Sequence, residues 1–285
     1  MGMAKIHTIV SDLDGTLVPK TTFELDARTV AAFRAARAAG VRIIIASGRS
    51  NASMRPYVEE LCGDLGPADH YIACNGAQVF RGGGAQTNSI QGGELVHEIA
   101  MSVEQLHAAV RWLRERGVYV QAYDERGFVY EKECVYADAY TKSSGLPCRK
   151  VDDMIAFLDR PAVKLLGVDD PPRVTQLLAE ARETFKGVIG WSTSEPHFLE
   201  ISHPDVSKGN ALQWLSEAEG FDAAGTLAFG DSINDLSMLE WAGVSVATGN
   251  ARDEVKARCH LTTGACLECG PAAVIEELLA ERLLG

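Results

Sequence analysis

Residues 6 to 18 read I-H-T-I-V-S-D-L-D-G-T-L-V, and this stretch constrains the fold more than any other. Ile6 to Val10 is a short, mostly apolar run with the character of a buried strand. It leads into two carboxylates two residues apart, Asp12 and Asp14, and then into Gly15 and Thr16, which predict a tight polar loop. Carboxylates that close repel, and one is driven to protonate unless a cation sits between them. D-x-D-G also suits a surface turn, so the rest of the chain has to decide between the two readings.

The pattern around this stretch repeats. Leu25 to Ala39 has helical spacing and stops at Gly40. Val41 to Ala46 is a second buried strand, ending in Ser47-Gly48-Arg49. A helix is expected over Met54 to Leu61, and a third strand over Tyr71 to Ala73, ending near Asn75-Gly76. Alternating strands and helices predict a parallel α/β sheet. Past Phe80 the pattern changes. Gly82 to Gly84 and Gly92-Gly93 flank a polar stretch with the look of a linker or hairpin. Beyond it, helices over Val103 to Arg116 and Pro172 to Phe185 alternate with strands over 118–123, 127–131, 162–168, 188–192 and 197–201. The parallel pattern then resumes. A helix from Ser207 carries Lys208 in its first turn. Thr226 to Phe229 is a strand ending in Gly230-Asp231, Ser232 to Trp241 a helix, and Val244 to Ala247 a strand ending in Thr248-Gly249-Asn250. Pro271 to Leu284 is a closing helix with Pro at its first position. The expected fold is therefore an α/β Rossmann-like core, a parallel sheet with helices on both faces, formed by residues 1–83 and 203–285. An α+β module, residues 84–202, is inserted into it.

Composition narrows the function classes. The net charge of −12, from 27 basic and 39 acidic residues, argues against a nucleic-acid surface, which requires a basic stripe. No apolar run approaches the roughly 18 residues of a membrane helix. The chain opens almost directly on its first strand, with no secretory signal, and Ile6 stands where an acylation pattern wants Ser or Thr. The expected location is cytoplasmic. The seven cysteines suit free thiols in a reducing compartment. Cys259, His260, Cys266 and Cys269 form a local cluster with one C-x-x-C, less than a structural zinc site asks for; the sequence leaves its role open. It also leaves open whether the chain is a monomer or a homodimer.

Five expected strands thus end in small polar or acidic residues: Asp12, Ser47, Asn75, Asp231 and Asn250. Open parallel sheets bind ligands beyond the carboxyl ends of their strands. In G-D-S-I-N-D, residues 230–235, Asp235 lies one helical turn beyond Asp231 and on the same side. Helix N-termini favour acids by themselves. Two acids with Asn234, facing another acidic strand end, look like ligands for a hard cation such as Mg²⁺. Lys208 sits where the helix dipole disfavours a cation, which suggests an anionic partner such as a phosphate.

D-L-D-G-T, Ser47-Gly48-Arg49, Lys208-Gly209 and G-D-S-I-N-D, in that order, resemble the four motifs of the haloacid dehalogenase superfamily. The inserted module resembles its large α/β cap. Asn75-Gly76-Ala77, T-G-N-A-R-D-E-V-K (248–256) and the tail T-T-G-A-C-L-E-C-G (262–270) resemble the Cof-like subfamily of metabolite phosphatases. The tail departs from the family pattern at Ala265 to Pro271, where an Asn and an acidic-Gly-Val stretch are common. The resemblance implies a Mg²⁺-dependent phosphatase acting on a small phosphorylated metabolite through an aspartyl-phosphate. Asp12 would be the nucleophile and Asp14 the general acid and base. Asp12, the main-chain carbonyl of Asp14, and Asp231 would hold Mg²⁺, with Asp235 behind them. Ser47, Gly48, Lys208, Asn234, Gly15 and Thr16 would cradle the phosphoryl group. Asp14 separates phosphoryl transfer from dehalogenation, which needs no leaving-group acid. A phosphomutase of the same superfamily uses the same two acids and remains an alternative. A phosphate-sensing, receiver-like binding protein is the non-enzymatic rival; such domains are about half this length and carry no cap of this size. For contacts to the leaving group, the candidates are Arg49, Asn75, Trp191, His197 and Glu200.

Overall fold

The computed structural model describes residues 5–82, 93–124, 126–133 and 135–285. The polar stretch between the glycine clusters, the start of the expected insertion at 84, and the N-terminal Met1-Gly2 lie outside the described residues. The chain divides into two compact units, Met1–Val96 with Ser207–Gly285, and His97–Val206.

The first unit is built on an eight-stranded sheet. Its order is Leu261–Thr262, Val244–Ala247, Thr226–Gly230, Thr8–Ser11, Arg42–Ala46, His70–Ala73, Gln78–Arg81 and Glu94–Glu98. The first six run parallel, and Gln78–Arg81 turns back antiparallel on His70–Ala73. The two strands beyond His70–Ala73 belong to this sheet, which the glycine-flanked polar stretch did not announce. The central strands are buried on both faces, so their sequences are continuous apolar runs rather than alternating ones. Val10, Ile44, Ile72 and Ala228 pack with Leu212, Leu215, Met238 and Leu239 from helices Lys208–Glu219 and Leu236–Trp241. Their neighbours Ile9 and Ile45 point the other way. On that side helix Ala27–Ala38 lies against Asn51–Cys62 and Gly270–Ala280.

Local sequence explains the helix ends. Asp26 caps Ala27–Ala38 by accepting from the Arg28 N–H, and Gly40 leaves it in a left-handed conformation. Helix Asn51–Cys62 starts three residues before the expected Met54 and keeps Pro56 inside. The expected helix over 232–241 opens instead as a 3₁₀ turn, Ile233–Asp235, and becomes α-helical only at Leu236–Trp241. Asp235 Oδ2, accepting from the Asp231 and Ser232 N–H groups, accounts for that change.

The second unit has a six-stranded sheet in the order Gly190–Ser192, Phe198–Ser202, Leu165–Val168, Tyr119–Asp124, Gly127–Tyr130 and Cys148–Lys150. Helices Val103–Glu115 and Pro171–Thr184 pack on one face through Leu106, Val110, Leu113, Val174 and Leu177. Val103–Glu115 begins with a capping box, Ser102 accepting from the Gln105 N–H while the Ser102 N–H donates to Gln105 Oε1. The strand residues in between, Tyr119, Gln121 and Tyr123, point to the opposite face. Helix Val135–Ser144, which lacks a clear apolar period and which the sequence did not announce, brings Tyr140 to within hydrogen-bond reach of Tyr123 there. Among the described residues, no helix is long and apolar enough to cross a membrane.

Candidate active site

Asp12 directly follows strand Thr8–Ser11, and its N–H donates to the Phe229 carbonyl at 3.0 Å. The chain then turns on itself, with the Leu17 and Val18 N–H groups donating to the Leu13 carbonyl. Gly15 makes the turn with φ +87°, and a Cβ there would stand 2.5 Å from Asp231 Oδ2. Only glycine meets both conditions. Asp231 follows strand Thr226–Gly230, the immediate neighbour of Thr8–Ser11, so the two acids arrive side by side.

Asp235 lies in the 3₁₀ turn. Its Oδ2 accepts from the N–H groups of Asp231 and Ser232 at 3.0 and 2.9 Å. Its Oδ1 accepts from Lys208 Nζ at 2.6 Å, and the same ammonium donates to Asp12 Oδ1 at 2.5 Å. Lys208 opens helix Lys208–Glu219, is fully buried, and has its helix capped by Ser207. The partner expected for this misplaced cation is thus, within the chain, a pair of carboxylates. Thr16 Oγ1 lies 3.1 Å from Asp231 Oδ1 and 3.4 Å from Asp12 Oδ2.

The charges at this point do not balance. Oxygens of Asp12, Asp231 and Asp235 lie within 4.8 Å of one another, all buried. Burial and Asp235 push Asp12 well above the ordinary carboxylate range, against the pull of Lys208. Burial and Asp235 likewise push Asp231 up to about 6. Burial disfavours the Lys208 ammonium, but Asp12 and Asp235 outweigh it and hold its pKa above the usual value. Three carboxylates around one buried ammonium, all with oxygen donors, suit a small hard cation. Asp12 and Asp231 have oxygens to offer it. The partners of Asp12 Oδ2 and Asp231 Oδ2 stand off at 3.4 and 3.5 Å, whereas both oxygens of Asp235 accept bonds of 3.0 Å or less, which fits a supporting position.

Asp14 stands apart from this cluster. Its carboxylate takes a two-pronged bond from Arg49, Nη2 to Oδ1 at 2.7 Å and Nε to Oδ2 at 2.8 Å. Arg49 Nη1 also donates to Ser53 Oγ, and the guanidinium lies over the Tyr57 ring. The Asp14 side chain therefore serves Arg49, and the role expected of Asp14 toward a metal concerns its main-chain carbonyl alone.

The other strand ends gather as the pattern required. Ser47 is buried, and its Oγ accepts from the Arg49 N–H at 3.1 Å. A Cβ on Gly48 would meet Asn75 Oδ1 at 3.0 Å. Asn75, at φ 59°, accepts through Oδ1 from Asn234 Nδ2 at 2.9 Å, which joins the third strand end to the fourth. Asn250 Nδ2 donates to the Gly15 carbonyl at 2.8 Å, while Asn250 Oδ1 accepts from the Cys266 N–H at 2.7 Å. The divergent tail, residues 265–271, is thereby tied to the loop after Asp12 through its backbone.

The second unit's candidates have separate fates. Trp191 lies in the hydrophobic core against Trp112 and Phe185, where an indole has no access to a ligand. His197 is bonded through Nδ1 to the Asp169 carbonyl on an exposed loop. Glu200 is buried, 2.7 Å from Lys164 Nζ and accepting from Ser194 Oγ at 2.7 Å. Lys164 was not singled out, although one charge in the run A-V-K-L-L-G-V was a signal. Lys20, 3.5 Å from Asp231 Oδ2, was missed as well, and no local pattern marks it. Among the described residues, Cys259, His260, Cys266 and Cys269 form no metal-ligand group. His260 Nδ1 instead accepts from the Ser245 N–H at 3.1 Å.

Known proteins share this sequence pattern and this fold. The family model described as haloacid dehalogenase-like hydrolase matches residues 9–274. The Bacillus subtilis (strain 168) protein YxeH is 30% identical over 275 residues, covering 95% of this chain and 97% of its own. The Escherichia coli (strain K12) protein named pyridoxal phosphate phosphatase YbhA is 29% identical, covering 90% of this chain and 93% of its own. A crystal structure of a haloacid dehalogenase-like hydrolase from Bacteroides thetaiotaomicron superposes with a TM-score of 0.83 at 27% identity, over 96% of this chain and all of that one.

Proposed function

We infer that this chain, which belongs to the haloacid dehalogenase-like hydrolases and among them to the Cof-like group, is a phosphatase of small phosphorylated metabolites. We further propose that it works through Asp12 with Mg²⁺ as cofactor. The observation that carries the proposal is the Asp12 carboxylate, held by Lys208 at 2.5 Å within a cluster of three buried carboxylates that share one buried ammonium.

In this reading an Asp12 oxygen attacks phosphorus, the phosphorus–oxygen ester bond breaks, and Asp14 gives its proton to the departing alkoxide. Asp14 then takes a proton from water as that water attacks the aspartyl-phosphate, which returns Asp12 and releases phosphate. Lys208 keeps Asp12 oriented and, with Ser47 and Asn234, stabilises the phosphoryl oxygens, while the Gly15 and Thr16 N–H groups, expected to share that task, donate instead to the Val18 and Leu13 carbonyls within the turn. Both Asp14 oxygens accept from Arg49 in this structure, so one prong of that pairing has to open for Asp14 to carry the proton, while the other keeps its direction. Asp12, the Asp14 main-chain carbonyl and Asp231 would hold Mg²⁺, which would supply positive charge that favours the ionised form of Asp12 and offsets the phosphoryl oxygens. The 97–206 unit is proposed to select the leaving group, with Glu200 among its candidates. Substrates are sought among sugar phosphates, polyol phosphates and pyridoxal phosphate, the last suggested by the name of the YbhA relative.

The test is phosphate release from p-nitrophenyl phosphate and a metabolite-phosphate panel in MgCl₂. Turnover is expected with Mg²⁺ and not in EDTA. Asp12→Asn is expected to lose activity by roughly a thousandfold or more while keeping the wild-type fold by circular dichroism. Normal turnover by that variant would remove Asp12 as nucleophile, and no turnover by the wild type on any substrate would remove the enzymatic reading.

A further inference from the structure

The cluster of three carboxylates is served by two lysines of opposite character. Lys208 is fully buried and bonded to Asp12 and Asp235 at 2.5 and 2.6 Å. Lys20 comes from the turn beyond the nucleophile loop and approaches the third acid, Asp231, from outside. Its Nζ is 3.5 Å from Asp231 Oδ2, and its side chain is 38% exposed where that of Asp231 is 7%. The contact is loose and the stem is partly solvated, so the ammonium can move into water at small cost.

Asp231 is also the acid that would have to share a cation with Asp12. Its Oδ1 already faces the Thr16 hydroxyl, and its Oδ2 faces Lys20. A divalent ion placed between Asp12 and Asp231 would stand within a few ångströms of the Lys20 ammonium. At that separation like charges in a partly buried site repel strongly. Lys208 cannot yield, being enclosed; Lys20 can.

We propose that Lys20 is an exchangeable counter-cation of the metal site. It neutralises Asp231 when no divalent cation is bound, and it has to be displaced when one binds, so it weakens the site's affinity for that cation. The inference rests on the reading of Asp12 and Asp231 as a divalent-cation site.

The test is calorimetric titration of MgCl₂ into the metal-free wild type, Lys20→Met and Lys20→Arg, with thermal unfolding in EDTA alongside. Lys20→Met is expected to bind Mg²⁺ roughly five- to tenfold more tightly and to unfold a few degrees lower in EDTA, because an opposing charge is lost from the bound state and a favourable one from the free state. Lys20→Arg, which keeps the charge, is expected to match the wild type. A lysine that merely shaped the turn would weaken or leave unchanged the affinity of the Met variant, and that result overturns the proposal. Tighter binding by both variants also overturns it, since shape rather than charge would then be responsible. If the wild type itself takes up no Mg²⁺, the metal reading of Asp12 and Asp231 fails, and the exchange proposal with it.

Discussion

Each of the two units buries a lysine, and the surroundings of the two are unlike. In the larger unit Lys208 is shared by Asp12 and Asp235 with Asp231 close by, an excess of negative charge. In the inserted unit Lys164 pairs with the Glu200 carboxylate at 2.7 Å, with the Tyr123 ring 5.3 Å away. The second pair is balanced, and its desolvation is offset within the pair. The first group stays unbalanced until another cation joins it. Burial alone therefore does not mark a functional site; uncompensated burial does.

The largest expected effect separates the two lysines by activity. Lys208→Met is expected to lower turnover on the order of a thousandfold, since it removes a fixed charge from the transferring group. It is also expected to destabilise the metal-free protein by about 3–5 kcal/mol, less with Mg²⁺ present. Paired phosphatase assays and urea unfolding check this. Full activity in the folded fraction would make Lys208 structural and erase the contrast.

Next comes Lys164→Met, which strands Glu200 and is expected to cost about 3–5 kcal/mol in urea unfolding. The double variant Lys164→Met with Glu200→Leu is expected to regain most of that loss, because a balanced pair can be exchanged for apolar volume. If the double variant refolds fully but shows a raised KM toward metabolite phosphates, Glu200 contacts substrate, and the pair is more than packing.

The smallest effect is a pH dependence. Asp231 titrates near 6 in the folded, metal-free protein against 3.8 ordinarily. The native state therefore holds the proton more tightly than the unfolded chain. The associated stability is complete below pH 4 and is lost as pH rises through 6, about 2–3 kcal/mol for a shift of this size. Asp12 is displaced in the same direction. Lys208, whose pKa is raised above 10.5, contributes in an alkaline window far from this one. Thermal unfolding in EDTA from pH 4 to pH 7 is expected to show a steeper decline for wild type than for Asp231→Asn, and saturating Mg²⁺ is expected to remove the difference. Parallel curves would show that Asp231 carries no excess charge.

What was legible in the sequence follows from local physics. Apolar runs such as Val41–Ala46 announce buried strands, and Gly40 and Pro271 announce helix ends. The polar residue after each run then falls at one rim of a parallel sheet, which is why Asp12, Ser47, Asn75, Asp231 and Asn250 were readable before any contact was known. Elements without a period escaped. Glu94–Glu98 is a solvent-facing edge strand with Leu95 exposed, and Leu261–Thr262 spans two residues. Helix Val135–Ser144 uses aromatic contacts rather than a continuous apolar stripe.

The order of the central parallel strands and their flanking helices, the acids at the strand ends and the tight turn at Gly15 were set by the sequence. Those depend on spacing and on backbone conformation, both of which are local. Tertiary structure alone decided the partners. It joined Lys208 to Asp12 across 196 residues and Arg49 to Asp14 across 35, and it placed Trp191 in a core instead of a site. A side chain's charge is written in the sequence, but which charge faces it depends on how distant segments pack, and the chemistry follows from that.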